Sequence, residues 1–106
     1  MKEIKYYKHT NNKEPVKEWL CNLDYSIYSR ILKRLLYIEN GNFGDYKKLD
    51  EDISELRFNF GSGYRIYFTE IDNIIVLLLC AGDKKLQSND IKKAHEYLEI
   101  WRQNNE

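Results

Sequence analysis

Two arginines and two lysines are the residues of this sequence whose types and spacing could do chemistry on an anion. Arg57 lies in the segment SELRF, Arg65 lies in GYRIYF, and Lys84-Lys85 follows the run IIVLLLCAGD. Guanidinium groups hold phosphate through two parallel hydrogen bonds and stabilise negative charge that develops on it. Gathered in one place, these cations could cleave RNA without a metal by orienting the 2′-hydroxyl for in-line attack, which would make the site specific for RNA.

Alternation of apolar and polar residues predicts that the two arginines lie on neighbouring strands of one hairpin. Side chains alternate through 53–59, with Leu56 and Phe58 on one face, and again through 64–70, with Tyr64, Ile66 and Phe68 on one face. The Gly-Ser-Gly loop between the two segments tolerates the positive φ that such a turn needs. Matching the apolar faces of an antiparallel pair brings Arg57 and Arg65 together on the opposite face. The matched apolar residues are Leu56, Phe58, Ile66 and Phe68.

The remaining elements follow from periodicity and from capping residues. A turn at Asp72-Asn73 leads into an apolar strand over residues 74–81, whose two buried faces indicate a central strand. The lysine-rich segment 2–8 is typical of an edge strand. After the edge strand, periodicity predicts an amphipathic helix of about three turns, then a second helix and a loop at 41–52. A last helix is predicted at the C-terminus, after the apolar strand. The caps that we predict are Asn11-Asn12 with Pro15 for the first helix, Asp24 and Asn40-Gly41 for the second, and Ser88 for the last.

These elements predict one α+β domain over residues 1–106, in the order β-α-α-β-β-β-α. The sheet should be antiparallel, with a helical hairpin on one face and a C-terminal helix. The chain has 17 basic and 17 acidic residues, a balance that argues against broad coating of duplex nucleic acid but not against a small basic site.

Motifs for other chemistries are absent from the sequence. There is no HExxH, CxxC or phosphate-binding GxxxxGK[ST] pattern, and Cys21 and Cys80 fit buried free thiols of a reducing cytosol. We therefore expect no metal and no cofactor. The N-terminal residues lack the apolar core of a signal peptide, and the apolar run of eight is too short for a membrane span. We expect a soluble cytoplasmic protein that does not associate with membranes.

The two arginines also have an alternative interpretation that involves no ligand. They could lie on an ordinary solvated sheet face, paired with Glu55 and Glu70. Exposed ion pairs of this kind contribute typically less than about 1 kcal/mol, so stability alone is a weak reason for them.

The chain resembles the RelE/ParE superfamily of type II toxin–antitoxin toxins, and is most similar to the HigB-like branch, often labelled addiction module killer proteins. The resemblance covers nearly the whole chain. It rests on an ordered set of short motifs: Glu55-Leu56-Arg57, Gly63-Tyr64-Arg65, Gly82-Asp83-Lys84, Gln87, and Asp90-Ile91 with Ala94. The family implies the same fold, cleavage of mRNA in the ribosomal A site, and neutralisation by a cognate antitoxin, expected to be a helix-turn-helix protein.

The resemblance also implies roles for individual residues. Arg57, Arg65 and Lys84 match the catalytic cations of the family, and Lys85 is the other candidate for the basic position after the last strand. Residues expected to contact the RNA substrate or the ribosome are Lys47, Lys48, Tyr67, Lys85 and Gln87.

Three hypotheses about function remain open at this stage. The first is a metal-independent, ribosome-dependent endoribonuclease, which the arginine pair and the basic turn favour. The second is a ParE-like inhibitor of DNA gyrase, and the third is a degenerate homologue that acts only by binding its antitoxin. The neutral charge keeps both alternatives open, as does Glu55, which stands where the best-studied ribonucleases of the family carry lysine.

Overall fold

The computed structural model describes residues 1–105 and shows an α+β architecture, a five-stranded sheet with helices packed on both faces. Glu106, the last residue of the predicted domain, lies outside the described residues. A 3-10 helix, Lys84–Leu86, leads into the last α-helix. The other elements are β1 (Glu3–Tyr6), α1 (Pro15–Cys21), α2 (Tyr25–Glu39), β2 (Tyr46–Lys48), β3 (Ser54–Phe58), β4 (Tyr64–Ile71), β5 (Ile75–Asp83) and α3 (Gln87–Asn104).

The sheet is mixed, so the prediction of a purely antiparallel sheet is wrong. Its strand order is β1-β5-β4-β3-β2, and β1 runs parallel to β5, with Glu3 opposite Ile75. The alternation of side chains predicts which residues share a face but says nothing about which distant strand becomes the neighbour. The prediction of β1 as an edge strand is confirmed, and β5 lies inside the sheet with β4 at its centre.

A short strand that the sequence did not reveal closes the other edge of the sheet. The segment 41–52, predicted as a loop, contains β2, which pairs antiparallel with β3 through Tyr46 opposite Leu56 and Lys48 opposite Ser54. All three residues of β2 are exposed, so the segment lacks the alternation of apolar and polar residues from which a strand is predicted. The predicted order of elements therefore lacks one strand.

Each face of the sheet packs against its own set of helices. One face is covered by α1 and α2, which form the predicted helical hairpin. Under this hairpin, β3, β4 and β5 contribute an apolar core: Leu56, Phe58, Ile66, Phe68, Val76 and Leu78. The opposite face packs against Ala94 and Leu98 of α3. A bulge between Tyr67 and Phe68 shifts the pairing with β5, so that Leu79 and Cys80 both belong to the core on the α3 face.

Several helix boundaries differ from the predictions. The helix α1 spans seven residues, and its N-cap is Glu14 rather than Asn12, which has a positive φ of 68° in the preceding turn. The predicted cap Ser88 is also wrong, because α3 continues from the 3-10 helix. The carboxylate of Asp83 accepts a hydrogen bond from the backbone N–H of Lys85 and so caps this 3-10 helix instead.

Other local predictions are confirmed. Asp24 precedes α2 as its N-cap, and α2 ends at Asn40 with Gly41 at a φ of 87°. The turn between β4 and β5 has positive φ at both Asp72 and Asn73. Of the two thiols, Cys80 is buried as predicted, whereas Cys21 is exposed, contrary to the prediction. Within residues 1–105, no helix is both long and apolar enough to cross a bilayer.

Candidate functional site

Arg57 and Arg65 lie directly opposite each other on β3 and β4, in the register that the alternation predicts. Both side chains project from the face that carries α3, beside the N-terminal end of that helix. Like charges directly opposite on neighbouring strands repel each other. The pair therefore needs either a counter-charge or access to solvent.

The counter-charge is Glu55, whose side chain is fully buried, with 0% of its surface exposed. Arg57 Nε donates a 2.8 Å hydrogen bond to Glu55 Oε1, and Arg65 Nε lies 3.7 Å from the same oxygen. Gln87, the first residue of α3, donates a 2.6 Å hydrogen bond from Nε2 to Glu55 Oε2. One carboxylate thus holds together two strands and the start of the last helix.

The two arginines differ in their access to solvent. The side chain of Arg57 is 33% exposed, whereas that of Arg65 is 9% exposed. The hydrogen bond to Glu55 is the largest cause that raises the pKa of Arg57, so this guanidinium stays charged. Arg65 Nη1 donates to the backbone oxygen of Tyr64 at 3.0 Å. The two arginines therefore do not form an open hollow between two free guanidinium groups. Arg57 faces solvent and Arg65 lies beneath the surface.

Lys84 joins this arrangement from the far side of the β3–β4 turn. A methyl group added at Gly63 would lie 3.5 Å from Lys84 Cβ and 3.9 Å from Arg65 Nη1. Both side chains therefore pass over this glycine, which also has a positive φ of 77°. Of the two lysines that the sequence left open, Lys84 is the one shown to pass beside Arg65; both are exposed.

The lysines of β2 separate by face. Lys47 lies directly opposite Glu55 in the register, so it projects from the same face as the arginines. Lys48 is the next residue along the strand and projects from the other face. We call the four cations on the α3 face the cationic patch: Lys47, Arg57, Arg65 and Lys84.

The polar residues predicted to contact substrate form a buried layer under the patch. The Tyr67 hydroxyl has no hydrogen-bond partner among the described residues, and burial raises the pKa of Tyr67, with a further contribution from the charge of Glu55. Tyr67 is 0% exposed and so has no surface of its own for an RNA strand. Gln87 is half-buried, and its amide is engaged with Glu55. Both residues support the patch from below.

A second carboxyl group lies near this layer. Asp90 is buried, its Oδ2 has no hydrogen-bond partner among residues 1–105, and burial raises its pKa. Gly82 lies opposite Arg65 in the register, and a Cβ at Gly82 would lie 2.1 Å from Asp90 Oδ2. The glycine is therefore required for α3 to approach β5 at this point.

The roles of Glu55 and Asp90 were missed by sequence reasoning. Glu55 fell on the polar face of its strand, where the alternative for the arginines expected it to be solvated, and Asp90 was noted only as part of a motif shared with the RelE/ParE superfamily. Glu70, the other predicted partner of the arginines, instead binds Lys2 at 2.6 Å. A glutamate two residues before an arginine on a polar strand face is the only local signal of the buried contact, and it does not distinguish burial from exposure.

The chemistry of the patch is that of an anion site. It combines four cationic side chains with one fully buried carboxylate, which leaves an excess of positive charge at the surface. Within residues 1–105, no three His, Cys, Asp or Glu side chains are grouped so that they could hold a metal ion.

Fold and patch together define an α+β protein with a cationic surface at one end of a mixed sheet. The chain is 42% identical over 77 residues to an uncharacterized protein of Haemophilus influenzae, an alignment that covers 72% of this chain and 78% of that protein. The chain therefore belongs to the same protein family as this relative. No model of a known protein family matches the sequence. The resemblance to the RelE/ParE superfamily thus stays a prediction.

Proposed function

We propose that this protein is the toxin of a type II toxin–antitoxin pair, a metal-independent endoribonuclease that cleaves mRNA on the ribosome and is neutralised by a cognate antitoxin. The observation that carries the proposal is the cross-strand pair of Arg57 and Arg65, whose one ion-pair partner among the described residues is Glu55. A pair held for stability alone would be balanced in charge, because uncompensated like charges on adjacent strands cost stability. An anionic ligand supplies the missing charge.

The geometry supports distinct roles for the cations. The Nε of Arg57 is engaged with Glu55, so the two terminal nitrogens of its exposed guanidinium remain for the non-bridging oxygens of a phosphate. Lys84, which is exposed, adds a second charge beside Arg65. Arg65 stabilises the developing negative charge from beneath, where low solvent access strengthens its electric field.

The proposed chemistry depends on charge stabilisation and on in-line orientation of the 2′-hydroxyl rather than on a protein base. Tyr67 remains protonated at neutral pH because burial raises its pKa. The two histidines are engaged elsewhere, His9 with Tyr7 and His95 with Asp50. The patch can therefore hold a phosphate. As the 2′-oxygen attacks the phosphorus, the bond from phosphorus to the 5′-oxygen breaks. The proton of the 2′-hydroxyl would leave to solvent or to the ribosome, and the leaving 5′-oxygen would take a proton from the same source.

A binding-only homologue is the second candidate, and a specific observation favours it. Glu55 already occupies one face of Arg57, and Arg65 is 9% exposed, so fewer donors reach a substrate than in an open arginine pair. In this reading the patch would bind an acidic segment of the antitoxin and would carry out no cleavage.

The test is inducible expression in bacteria, with growth and the 5′ ends of ribosome-bound mRNA as readouts. We expect the parent to arrest growth and to produce mRNA cuts, and Arg57→Ala to lose about 100-fold or more of the cleavage, as removal of one charge-stabilising donor does. The matched control is Arg102→Ala, which removes an exposed arginine that pairs with Asp52 on the surface. The control should retain full activity.

Other outcomes identify the alternatives. Growth arrest that survives Arg57→Ala at equal protein level contradicts the ribonuclease. A DNA-damage response with intact messages, together with inhibition of purified gyrase, indicates the gyrase inhibitor. Harmless expression of a chain that binds its antitoxin tightly indicates the binding-only homologue.

A further inference from the structure

A groove of about 440 Å³ lies beside α2, at the end of β3. We call it the α2 groove. The residues of its lining that matter here are Arg30, Lys33, Arg34, Tyr37, Arg57 and Phe60. The sequence analysis did not single out Arg30, Lys33 or Arg34, because cations along a helix are typical of a solvent-exposed helix face.

Positive charge dominates the α2 groove. Arg30 and Lys33 are exposed, and neither forms an ion pair with any other residue in the described part of the chain. The one carboxylate in the lining belongs to Asp45, which accepts a 2.6 Å hydrogen bond from Asn59. Three cations of α2, Arg30, Lys33 and Arg34, therefore line the groove together with a single acidic group.

Aromatic rings make the groove more than a charged surface. The guanidinium carbon of Arg30 lies 3.8 Å from the centre of the Phe60 ring, a separation that suits a guanidinium lying flat against it. The outer side of such a guanidinium is a planar platform of the kind on which nucleic-acid bases stack. Tyr37, 47% exposed, offers a second planar surface in the same groove.

The groove and the cationic patch lie on opposite faces of the sheet and meet at Arg57 of β3. Arg34 Nη1 donates to the carbonyl oxygen of Arg57, and Arg34 Nη2 donates to the carbonyl oxygens of Phe43 at 2.9 Å and Asp45 at 3.0 Å. Arg34 thus ties the loop before β2 to the end of β3 beneath the groove. Arg57 belongs to both the patch and the groove lining.

We infer that the α2 groove binds one strand of RNA that continues from the phosphate held at the patch. The inference rests on the proposed function for the direction of the strand and for its sugar. Exposed cations interleaved with planar surfaces are how proteins hold single strands without reading sequence. An acidic peptide would pair with the charges but has no bases to stack on the Arg30–Phe60 pair or on Tyr37. Single-stranded RNA can use both features and is therefore the better fit.

The experiment measures affinity for a fluorescein-labelled 2′-O-methyl RNA of about 12 nucleotides, within the range that one single-strand site covers. Methylation blocks attack by the 2′-hydroxyl, so binding is measured whether or not the protein cleaves. The test variant is Arg30→Ala/Lys33→Ala. The matched control, Lys8→Ala/Lys92→Ala, removes two exposed charges that also lack ion pairs in the described residues but lie outside the groove.

We expect the test variant to bind about tenfold more weakly or worse, and the control to bind as the parent does. The slope of log affinity against log salt should fall by about 0.7 in the test variant, since Lys33 is the phosphate contact that it loses and each such contact on a single strand contributes about 0.7. Arg30→Lys keeps the charge but not the planar group, so it should keep the parental slope and still lose affinity. Unchanged thermal unfolding of all variants establishes that they are folded.

Three results would overturn the inference: equal binding by the test variant and the control, no binding of the RNA by the parent, or binding of an oligo-glutamate peptide in place of RNA. Failure of the proposed function is separable. If Arg57→Ala leaves growth arrest intact while Arg30→Ala/Lys33→Ala still weakens RNA binding, the ribonuclease proposal fails and the groove stands. The reverse pattern removes the groove and leaves the ribonuclease.

Discussion

The two faces of the sheet bury different kinds of residue. The face under the helical hairpin is apolar throughout, from Leu56 and Phe58 to Ile66 and Phe68. The face under α3 holds all four of the polar or charged residues that are buried in the described chain: Glu55, Arg65, Thr69 and Asp90. The buried polar atoms without a hydrogen-bond partner also belong to it.

This difference bears on how each face contributes to stability. Apolar burial stabilises by about 25 cal/mol per Å². Burying a charge instead costs free energy that its ion pair often only offsets. Both faces therefore stabilise the fold through apolar burial, and the α3 face in addition carries the cost of its buried charges. Departures of this kind from consistent packing are expected at functional sites.

The largest expected effect comes from the apolar face. Phe68 is 1% exposed and stacks on Phe43 with ring centres 5.5 Å apart. Phe68→Ala should lower the free energy of unfolding by about 3–5 kcal/mol, because it removes a large buried ring and leaves a cavity. Urea unfolding followed by circular dichroism measures the change.

The neighbouring residue is the matched control for that prediction. Tyr67→Phe alters the next position of the same strand on the α3 face and removes a buried hydroxyl without a hydrogen-bond partner. Its stability should change by less than about 0.5 kcal/mol or rise slightly, since no bond is lost. A loss as large as that of Phe68→Ala would show that the Tyr67 hydroxyl contributes to stability as much as a large apolar ring does.

An intermediate effect is expected at Glu55. Glu55→Leu leaves Arg65 buried without its counter-charge and should cost about 1–3 kcal/mol, a range that allows for Arg57 turning into solvent. The double variant Glu55→Leu/Arg65→Leu should recover most of this loss, because it replaces both buried charges with apolar groups. Urea unfolding of the two single variants and the double variant gives the coupling energy. Additive costs would mean that the two side chains do not interact.

The smallest expected effect is a pH dependence from Asp90. Burial raises its pKa above that in the unfolded chain, so the folded state binds the proton more tightly. The stability associated with protonated Asp90 is therefore fully present below about pH 4, the pKa of an unperturbed aspartate, and is lost as the pH rises through the raised value. Asp90→Asn lacks this titration, so the melting temperature of the parent should fall relative to that of the variant between pH 3 and pH 7.

Asp72→Asn is the control for the pH series, because it removes an exposed carboxylate in the β4–β5 turn where asparagine tolerates the positive φ. Its melting curve should follow that of the parent more closely than the curve of Asp90→Asn does. A parent and an Asp90→Asn variant with parallel profiles would contradict the assignment of a raised pKa to this carboxyl group.

Local periodicity predicted much of the hairpin but little of the site. The opposition of Arg57 and Arg65 and the turn at Asp72-Asn73 followed from spacing and residue type, because strand registers and tight turns depend on neighbouring residues. The contact between Glu55 and Gln87 joins residues 32 positions apart. No local pattern encodes a pairing at that distance.

By itself, the amino-acid sequence determined which residues share a face of each strand, because side chains alternate with a period of two along any strand. That was enough to bring both arginines to one side of the hairpin. Only the tertiary structure decided that β1 joins β5 in parallel, that α3 lies over the arginine face, and that Glu55 is buried while Arg57 is exposed. Exposure depends on what packs above a face, and that is set by contacts between segments far apart in the chain.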